Sequence, residues 1–476
     1  MKNQPLIAAV FQSLVSARAG GAVAVRRLPF HRRWRIGKSL AVFIATACQH
    51  HAGGGPSPAI PLRRLNHIVV IYLENRSFDN LYGGFTGADG LDAARQAPPQ
   101  LDERGVPYSV LPQVVGTPFP SDLRNGPFDI GLYLPPSQPT RDLVHRFYQE
   151  QMQIHDGRMD RFVAVSDAKG LTMGHYRTAD LPLAALAHEY TLCDRLFHSA
   201  FGGSFLNHQW LIAARTPEFH DAPLAMRATL DPVTGALVHD GAVTPDGFAV
   251  NTAFPRHGPH PPNVPGPELL PPLTYATIGD RLDDHAVSWA WYAGGWNAAD
   301  SGAASADFQF HHQPFTYFAK FAKGSVARRV HLQDEEAFLV AARAGSLPSV
   351  SFVKPGGLED EHPGYSDVLR GERHVLELVD AVRHGANWHD TAIIVTYDEN
   401  GGLWDHVSPP RGDRWGPGTR VPTIVISPFA RRAYVDHTAY ETVSILALIE
   451  RRWGLAPLTA RDAGATPLLG PFEFLR

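Results

Sequence analysis

Two short runs place carboxylate and amide oxygens where an apolar stretch stops. HIVVIYL, residues 67–73, gives way at once to Glu74-Asn75. TAIIVTY, residues 391–397, gives way to Asp398-Glu399, then Asn400 and the pair Gly401-Gly402. Apolar runs of this kind read as buried strands, and strand ends are where a scaffold presents polar groups to a ligand. Carboxylate and amide oxygens converging from two strand ends form the ligand set of a hard divalent cation. The glycines after Glu399 let the backbone come close to a ligand. Either acidic pair alone also serves as a turn or helix cap; their recurrence at two strand ends favours a shared metal site.

A third piece is FHSAFGGSFLNHQWLIAA, residues 197–214. Two glycines and Ser204 precede an apolar helical run, which puts Ser204 at or before a helix N-terminus. The amides and dipole there favour an anion such as phosphate. A hydroxyl activated by a metal at that position is a nucleophile; unactivated, it is an ordinary N-cap. The context is not a G-x-S-x-G elbow, since Leu206 fills the last glycine position, and no P-loop lysine follows. Histidines supply a fourth piece: His155 in IHDGRMD, His311 and His312 in FQFHHQPF, His362 in EDEHPGYSD and His406 in DENGGLWDH. Grouped around a serine and a metal, imidazoles donate to phosphoryl oxygens or protonate a leaving group. The roles of Asp405 and His406 stay open at this level.

The elements that must carry these residues are legible. Strands are predicted at His67–Leu73, Ser349–Val353, Thr391–Tyr397 and Val421–Ser427, with a fifth candidate at Val287–Tyr292. They are rich in β-branched residues and do not alternate, as expected of a parallel sheet covered on both faces. GERHVLELVDAVRHG, from Gly371, has helical spacing and a closing Gly385; ETVSILALIERRWGL near the end reads likewise. Strand and helix in alternation predict an α/β fold with ligands at the carboxyl ends of the strands. Residues near 86–140 and the Pro-rich residues near 217–274 read as loop-rich insertions over the sheet edge, placed to form a lid.

Of 476 residues, 44% are hydrophobic and 19% charged, enough for a large core, and a net charge of -4 gives no support to a nucleic-acid partner. Two cysteines, Cys48 and Cys193, exclude a disulfide framework. The N-terminal region reads differently. Arg32-Arg33 in a basic stretch, the apolar LAVFIATAC and the linker HAGGGPSP form an export signal resembling the twin-arginine type. Ala45-Thr46-Ala47-Cys48 resembles a lipobox, which would make Cys48 a lipid anchor. The expected organisation is an export signal and flexible linker over 1–60 and a catalytic domain over 61–476. The product would be periplasmic, an outer-membrane lipoprotein or secreted.

ENRSFDN, GGSFLNHQWLIAA, FQFHHQPF, the EHP stretch, YDENGGLWDHVSPP and RVPTIVISPFAR together resemble the phosphoesterase family of bacterial phospholipases C and acid phosphatases, within the alkaline phosphatase-like superfamily. The match covers roughly residues 65–455, and GGSFLNHQW and FQFHHQPF look most like the respiratory-burst-inhibiting acid phosphatase branch. The resemblance implies an alkaline phosphatase-like fold, a central mostly parallel sheet with helices on both faces. It implies one divalent metal on Glu74, Asn75, Asp398 and Glu399; Mg, Ca, Mn, Zn and Fe all stay open. It implies Ser204 as nucleophile, with His155, His362 and one of His311 or His312 facing the phosphate. Two departures stand out. Asn80 replaces the commoner His of ENRSFDH, and the chain stops shortly after its last helix, where many phospholipase relatives continue into β domains. The expected function is metal-dependent hydrolysis of phosphate monoesters through a phosphoseryl intermediate. The rivals are a phospholipase C acting on phospholipid headgroups and a non-catalytic surface-binding lipoprotein. A sulfatase is set aside, because Phe-Leu-Asn-His follows Ser204 where a formylglycine context is needed.

Overall fold

The computed structural model describes residues 59–474; the expected export signal, linker and Cys48 lie outside the described residues. Among the described residues no helix is long and apolar enough to cross a membrane. Eight strands make the central sheet: β1 (His67–Leu73), β2 (Thr191–Cys193), β3 (Trp289–Ala293), β4 (Leu332–Asp334), β5 (Val350–Lys354), β6 (Thr391–Tyr397), β7 (Thr423–Ile426) and β8 (Tyr434–Asp436). Their spatial order is β8-β2-β7-β6-β1-β5-β3-β4. Of these, β7 alone runs against the others. The helices that matter for the site are α1 (Phe147–Ile154), α2 (Ser204–Ala213), α3 (Trp296–Asp300), α4 (Val368–Arg383), α5 (Val443–Trp453) and α6 (Ala460–Gly464). The fold is α/β around a mostly parallel sheet.

β1 and β6 sit side by side at its centre. Ile68, Val69, Val70 and Ile71 on one, and Ile393 and Ile394 on the other, are fully buried. Burying each such side chain contributes about 1.5–3 kcal/mol, which explains why both runs are so apolar. In this mostly parallel sheet, the strand expected at Val421–Ser427 pairs antiparallel with β6. A strand buried on both faces is uniformly apolar in either direction, so composition does not encode its sense. Helix α4 begins earlier than its apolar pattern, at the N-cap Asp367, whose Oδ1 accepts from Arg370 N at 2.9 Å. It ends at His384, and Gly385 is extended rather than the closing residue. Helix α5 does end on a left-handed glycine, Gly454.

The insertion near 217–274 has a small two-stranded piece, Thr229–Leu230 with Leu237–His239. It braces the start of α1: Asn251 Oδ1 accepts from Phe147 N at 3.1 Å, and Gly241 O accepts from Arg146 Nη2 at 3.3 Å.

Candidate active site

Register brings the two acidic pairs together. Leu73 of β1 is opposite Tyr397 of β6, so both chains leave the sheet at the same level. Asp398 N donates to Leu73 O at 3.0 Å, and Asp398 Oδ1 accepts from Asn75 N at 3.0 Å and Glu399 N at 2.7 Å. Asn75 adopts φ +62°, a left-handed conformation that Asn tolerates better than most residues. The glycines serve this approach. A Cβ on Gly401 would lie 2.4 Å from Asn75 O, and one on Gly402 would lie 2.4 Å from Val144 O. Their close partners are the chain segments bearing Asn75 and His145.

Ser204 opens α2, with Gly203 as N-cap, and its side chain lies among fully buried neighbours. Its Oγ is 2.8 Å from Glu74 Oε2 and 3.1 Å from Asn75 Oδ1. One turn on, His208 Nδ1 meets Ser204 O at 2.7 Å. His312 stacks on His208, ring centroids 5.4 Å apart and 9° from parallel, with its Nε2 3.2 Å from Glu74 Oε1. Trp291 Nε1 donates to His312 O at 2.8 Å and fixes that turn. Lys354, the last residue of β5, is fully buried and puts Nζ 2.5 Å from Glu74 Oε1 and 3.0 Å from Tyr72 O. On the far side His145 Nε2 lies 3.4 Å from Asn75 Nδ2 and 3.9 Å from Glu399 Oε1, its ring edge-on to His362. His362 also stacks on Tyr365 at 4.4 Å.

Three imidazoles are oriented alike. Nδ1 of His145, His208 and His362 each meets a backbone carbonyl, of Leu143, Ser204 and Pro363, at 2.5, 2.7 and 2.5 Å. The proton therefore belongs on Nδ1 in the neutral ring, and Nε2 offers a lone pair. Burial lowers the basicity of three rings in the site: His362 and His312 fall to about 4, and His208 well below its ordinary value, with Lys354 adding to the effect on the last two.

The structure brings together Glu74, Asn75, Asp398, Glu399, Ser204 and His312, with His362 beside His145. His311 packs edge-on against His208 and His312 without a polar contact to Glu74. His155 is elsewhere engaged: Asp160 Oδ1 holds its Nδ1 at 2.6 Å, and Arg158 Nε approaches the same atom at 3.1 Å. His145, not His155, lies beside Asn75 and Glu399. Asp405 and His406 belong to a separate buried cluster. The Arg420 guanidinium bonds Asp405 Oδ1 at 2.8 Å and Asp79 Oδ1 at 3.2 Å, and His406 Nδ1 meets Asp79 Oδ2 at 2.7 Å. This ties the loop after β6 to the loop after β1. The sequence reading missed His145, His208 and Lys354. His208 carried a signal, one helical turn from Ser204. So did Lys354, a polar residue closing an apolar strand, the same cue that marked Glu74.

The oxygen set fits a cation. Asp398 Oδ2 and Glu399 Oε1 are buried without a hydrogen-bond partner, and Glu74 Oε1 has ion-pair neighbours but no aligned hydrogen bond. Burial, with the neighbouring carboxylates, pushes Asp398 and Glu399 well above the usual carboxylate range. Burial would do the same to Glu74, but Lys354 and His312 outweigh it and hold Glu74 well below that range. Uncompensated buried carboxylates of this kind are expensive unless a positive charge joins them. One group of ligating atoms is Glu74, His208 and His312, all within 4.8 Å of one another; Asp398 Oδ2 borders it, 3.8 Å from His208 Nδ1. A second such group is Asp142, His145 and His362.

Comparison with known proteins finds relatives over most of the chain. The chain is 30% identical over 467 residues to phospholipase C B of Mycobacterium tuberculosis (strain CDC 1551 / Oshkosh), covering 89% of this chain and 80% of that one. It is 24% identical to the non-hemolytic phospholipase C of Pseudomonas aeruginosa, covering 94% of this chain and 60% of that one. Among solved structures, a protein in the alkaline phosphatase superfamily from Vibrio parahaemolyticus aligns over 71% of this chain and 73% of that one at 12% identity and a TM-score of 0.34. The family model described as the Phosphoesterase family matches residues 65–456, and the chain belongs to that family and is a phosphoric ester hydrolase.

Proposed function

We propose that Ser204 is the nucleophile of a phosphate ester hydrolase that prefers monoesters. The observation that carries this reading is the Ser204 hydroxyl, at the head of a buried ten-residue helix and 2.8 Å from Glu74 Oε2. Ser204 Oγ attacks phosphorus, the bond to the ester oxygen breaks, and Glu74 Oε2 is the nearest acceptor for the serine proton. The amides of the first turn of α2 face the charge that develops on the phosphoryl oxygens. A divalent cation held by Glu74, Asn75, Asp398 and Glu399 would neutralise charge on the attacking and phosphoryl oxygens. Nε2 of His362 and of His145, the latter 3.4 Å from Asn75 Nδ2, accept a proton from water when the phosphoseryl group is hydrolysed, and when protonated they donate to the departing oxygen. The lowered basicity of His362 suits an enzyme whose dianionic substrate brings the charge that protonates it.

Crowding favours the monoester. Ser204 is 5% exposed, and Asn75, His208 and Glu74 around it are fully buried. A monoester leaves a bare phosphoryl group on Ser204, whereas a diester leaves a headgroup that must also be housed there. A phospholipase C reading is the alternative, supported by the names of the relatives at 27–30% identity. The test is kcat/KM for p-nitrophenyl phosphate against p-nitrophenylphosphorylcholine between about pH 5 and pH 8. Preference for the choline diester throughout would establish the phospholipase reading. Export, periplasmic, outer-membrane or secreted, rests on residues 31–48 of the sequence, and the mass of the mature N-terminus tests it.

A further inference from the structure

A cavity of about 750 Å³ lies against α3, the helix that follows the carboxyl end of β3. It is walled by α3, by the Pro-rich segment around Pro259 and by Phe308 and Phe310. Three facts fasten it to the site. Phe310 immediately precedes His311-His312 in one helical turn. Gly294, just after β3, is so close to the segment after β5 that a Cβ would meet Gly356 N at 2.5 Å, two residues from Lys354. A Cβ on Gly357 would meet Asp307 O at 2.2 Å, which binds the cavity's loop to the same segment. β3 lies two strands from β1 in the sheet, a lateral offset of about 10 Å at ordinary strand spacing.

The charges in this cavity do not cancel. Its carboxylate, Asp300, is engaged by Arg328, whose Nε donates to Asp300 Oδ1 at 2.9 Å. Arg328 also donates to the carbonyls of Gly258 and Phe321 at 3.1 and 3.2 Å and packs over Trp296, so it is part of the wall. Two further cations remain. Arg256 has one long bond, to Leu269 O at 3.4 Å, and Lys323 has no ion-pair or hydrogen-bond partner among the described residues. Both line the cavity over an apolar floor of proline and phenylalanine.

We propose that this cavity binds the arm of the ester substrate remote from phosphorus, and that the arm has an apolar body ending in an anionic group such as a carboxylate. The proposal rests on the reading of Ser204 as nucleophile, which fixes where the phosphoryl end lies. Arg256 and Lys323 would pair with the terminal anion, while Phe308 and Phe310 take the body.

Two near-isosteric esters test it: 4-(carboxymethyl)phenyl phosphate and 4-ethylphenyl phosphate, assayed with the metal-loaded enzyme. The carboxylate ester should have the higher kcat/KM by about tenfold, mainly through KM, as expected of one charge-assisted contact. In the Arg256→Ala/Lys323→Ala variant the ratio should fall to near one. Equal values in the wild type, or a ratio that survives in the double variant, overturns the proposal. Calorimetric titration with 2-naphthalenesulfonate separates this from a failure of the catalytic reading, because it needs no turnover. One site lost in the double variant supports the cavity even if neither ester is hydrolysed; no binding, or binding indifferent to the variant, refutes it.

Discussion

Glu74 has two differently occupied oxygens. Oε2 faces the Ser204 hydroxyl, while Oε1 faces Lys354 and His312. Lys354 is the fixed positive charge that allows a carboxylate to stay ionised at zero exposure. Lys354→Met should therefore lower stability by about 3 kcal/mol or more, the usual cost of leaving one partner of a buried pair alone. Urea denaturation measures it, and the double variant with Glu74→Gln should recover part of the loss. A Lys354→Met protein as stable as wild type would show that the pair is not coupled. Ser204→Ala should fold normally and lose turnover by about 10⁴-fold or more, in line with loss of other catalytic nucleophiles. Intact mass after quenching should show phosphate on wild-type Ser204 and none on the variant. These residues differ in how visible they are in sequence. Glu74, Asn75, Asp398, Glu399 and Ser204 each follow or precede a strong local pattern. His145 sits in LVHRFYQE, which has no such pattern, and reaches the site through tertiary packing against Gly203.

At the level of elements, α5 and α6 meet through two acids. Burial, reinforced by Asp462, pushes the Glu450 carboxyl up to about 9. Asp462 is itself occupied as the capping-box acid of α6, accepting from Thr459 N at 2.7 Å and Thr459 Oγ1 at 2.8 Å. The folded state therefore holds a proton on Glu450 that the unfolded chain releases above its ordinary value of 4.5. Stability from this group falls as pH rises from that value towards 9. Glu450→Gln, which cannot ionise, should flatten the decline, and the gap between variant and wild type in urea midpoint should widen from pH 5 to pH 9, roughly the span of this titration. A constant gap would mean that Glu450 is already ionised in the fold. The element boundaries themselves divide by length. His67–Leu73 and Thr391–Tyr397 match the reading residue for residue, because six and seven consecutive buried positions leave a clear run. β2, β4 and β8, with three residues each, were not expected, because three residues are too few to show a period and their partners are distant in sequence.

For the whole molecule, the acidic pocket links metal to folding. Asp398 and Glu399 are fully buried beside Glu74 and lack matching cations of their own. A protein saturated at about 100 times Kd gains about 2.7 kcal/mol. Chelation should then lower Tm by about 3 °C, and re-addition of the native ion should restore it. Scanning calorimetry with each divalent ion in turn also identifies which one fits. An unchanged Tm would show that the pocket holds no ion in solution.

The strand order also sets a timetable for biosynthesis. β1 is complete at Leu73, but its two neighbours begin only at Val350 and Thr391. β2, finished by Cys193, waits for β7 and β8 beyond residue 422. A ribosome therefore exposes an apolar strand long before anything can pair with it, and loop closure over such distances is slow. A chain interrupted between Ala213 and Thr391 carries Glu74 and Ser204 but not Asp398 or the β6 edge that shelters β1. Such fragments would be sticky and half-sited, so the cell's holding chaperones act as a condition of this enzyme's yield.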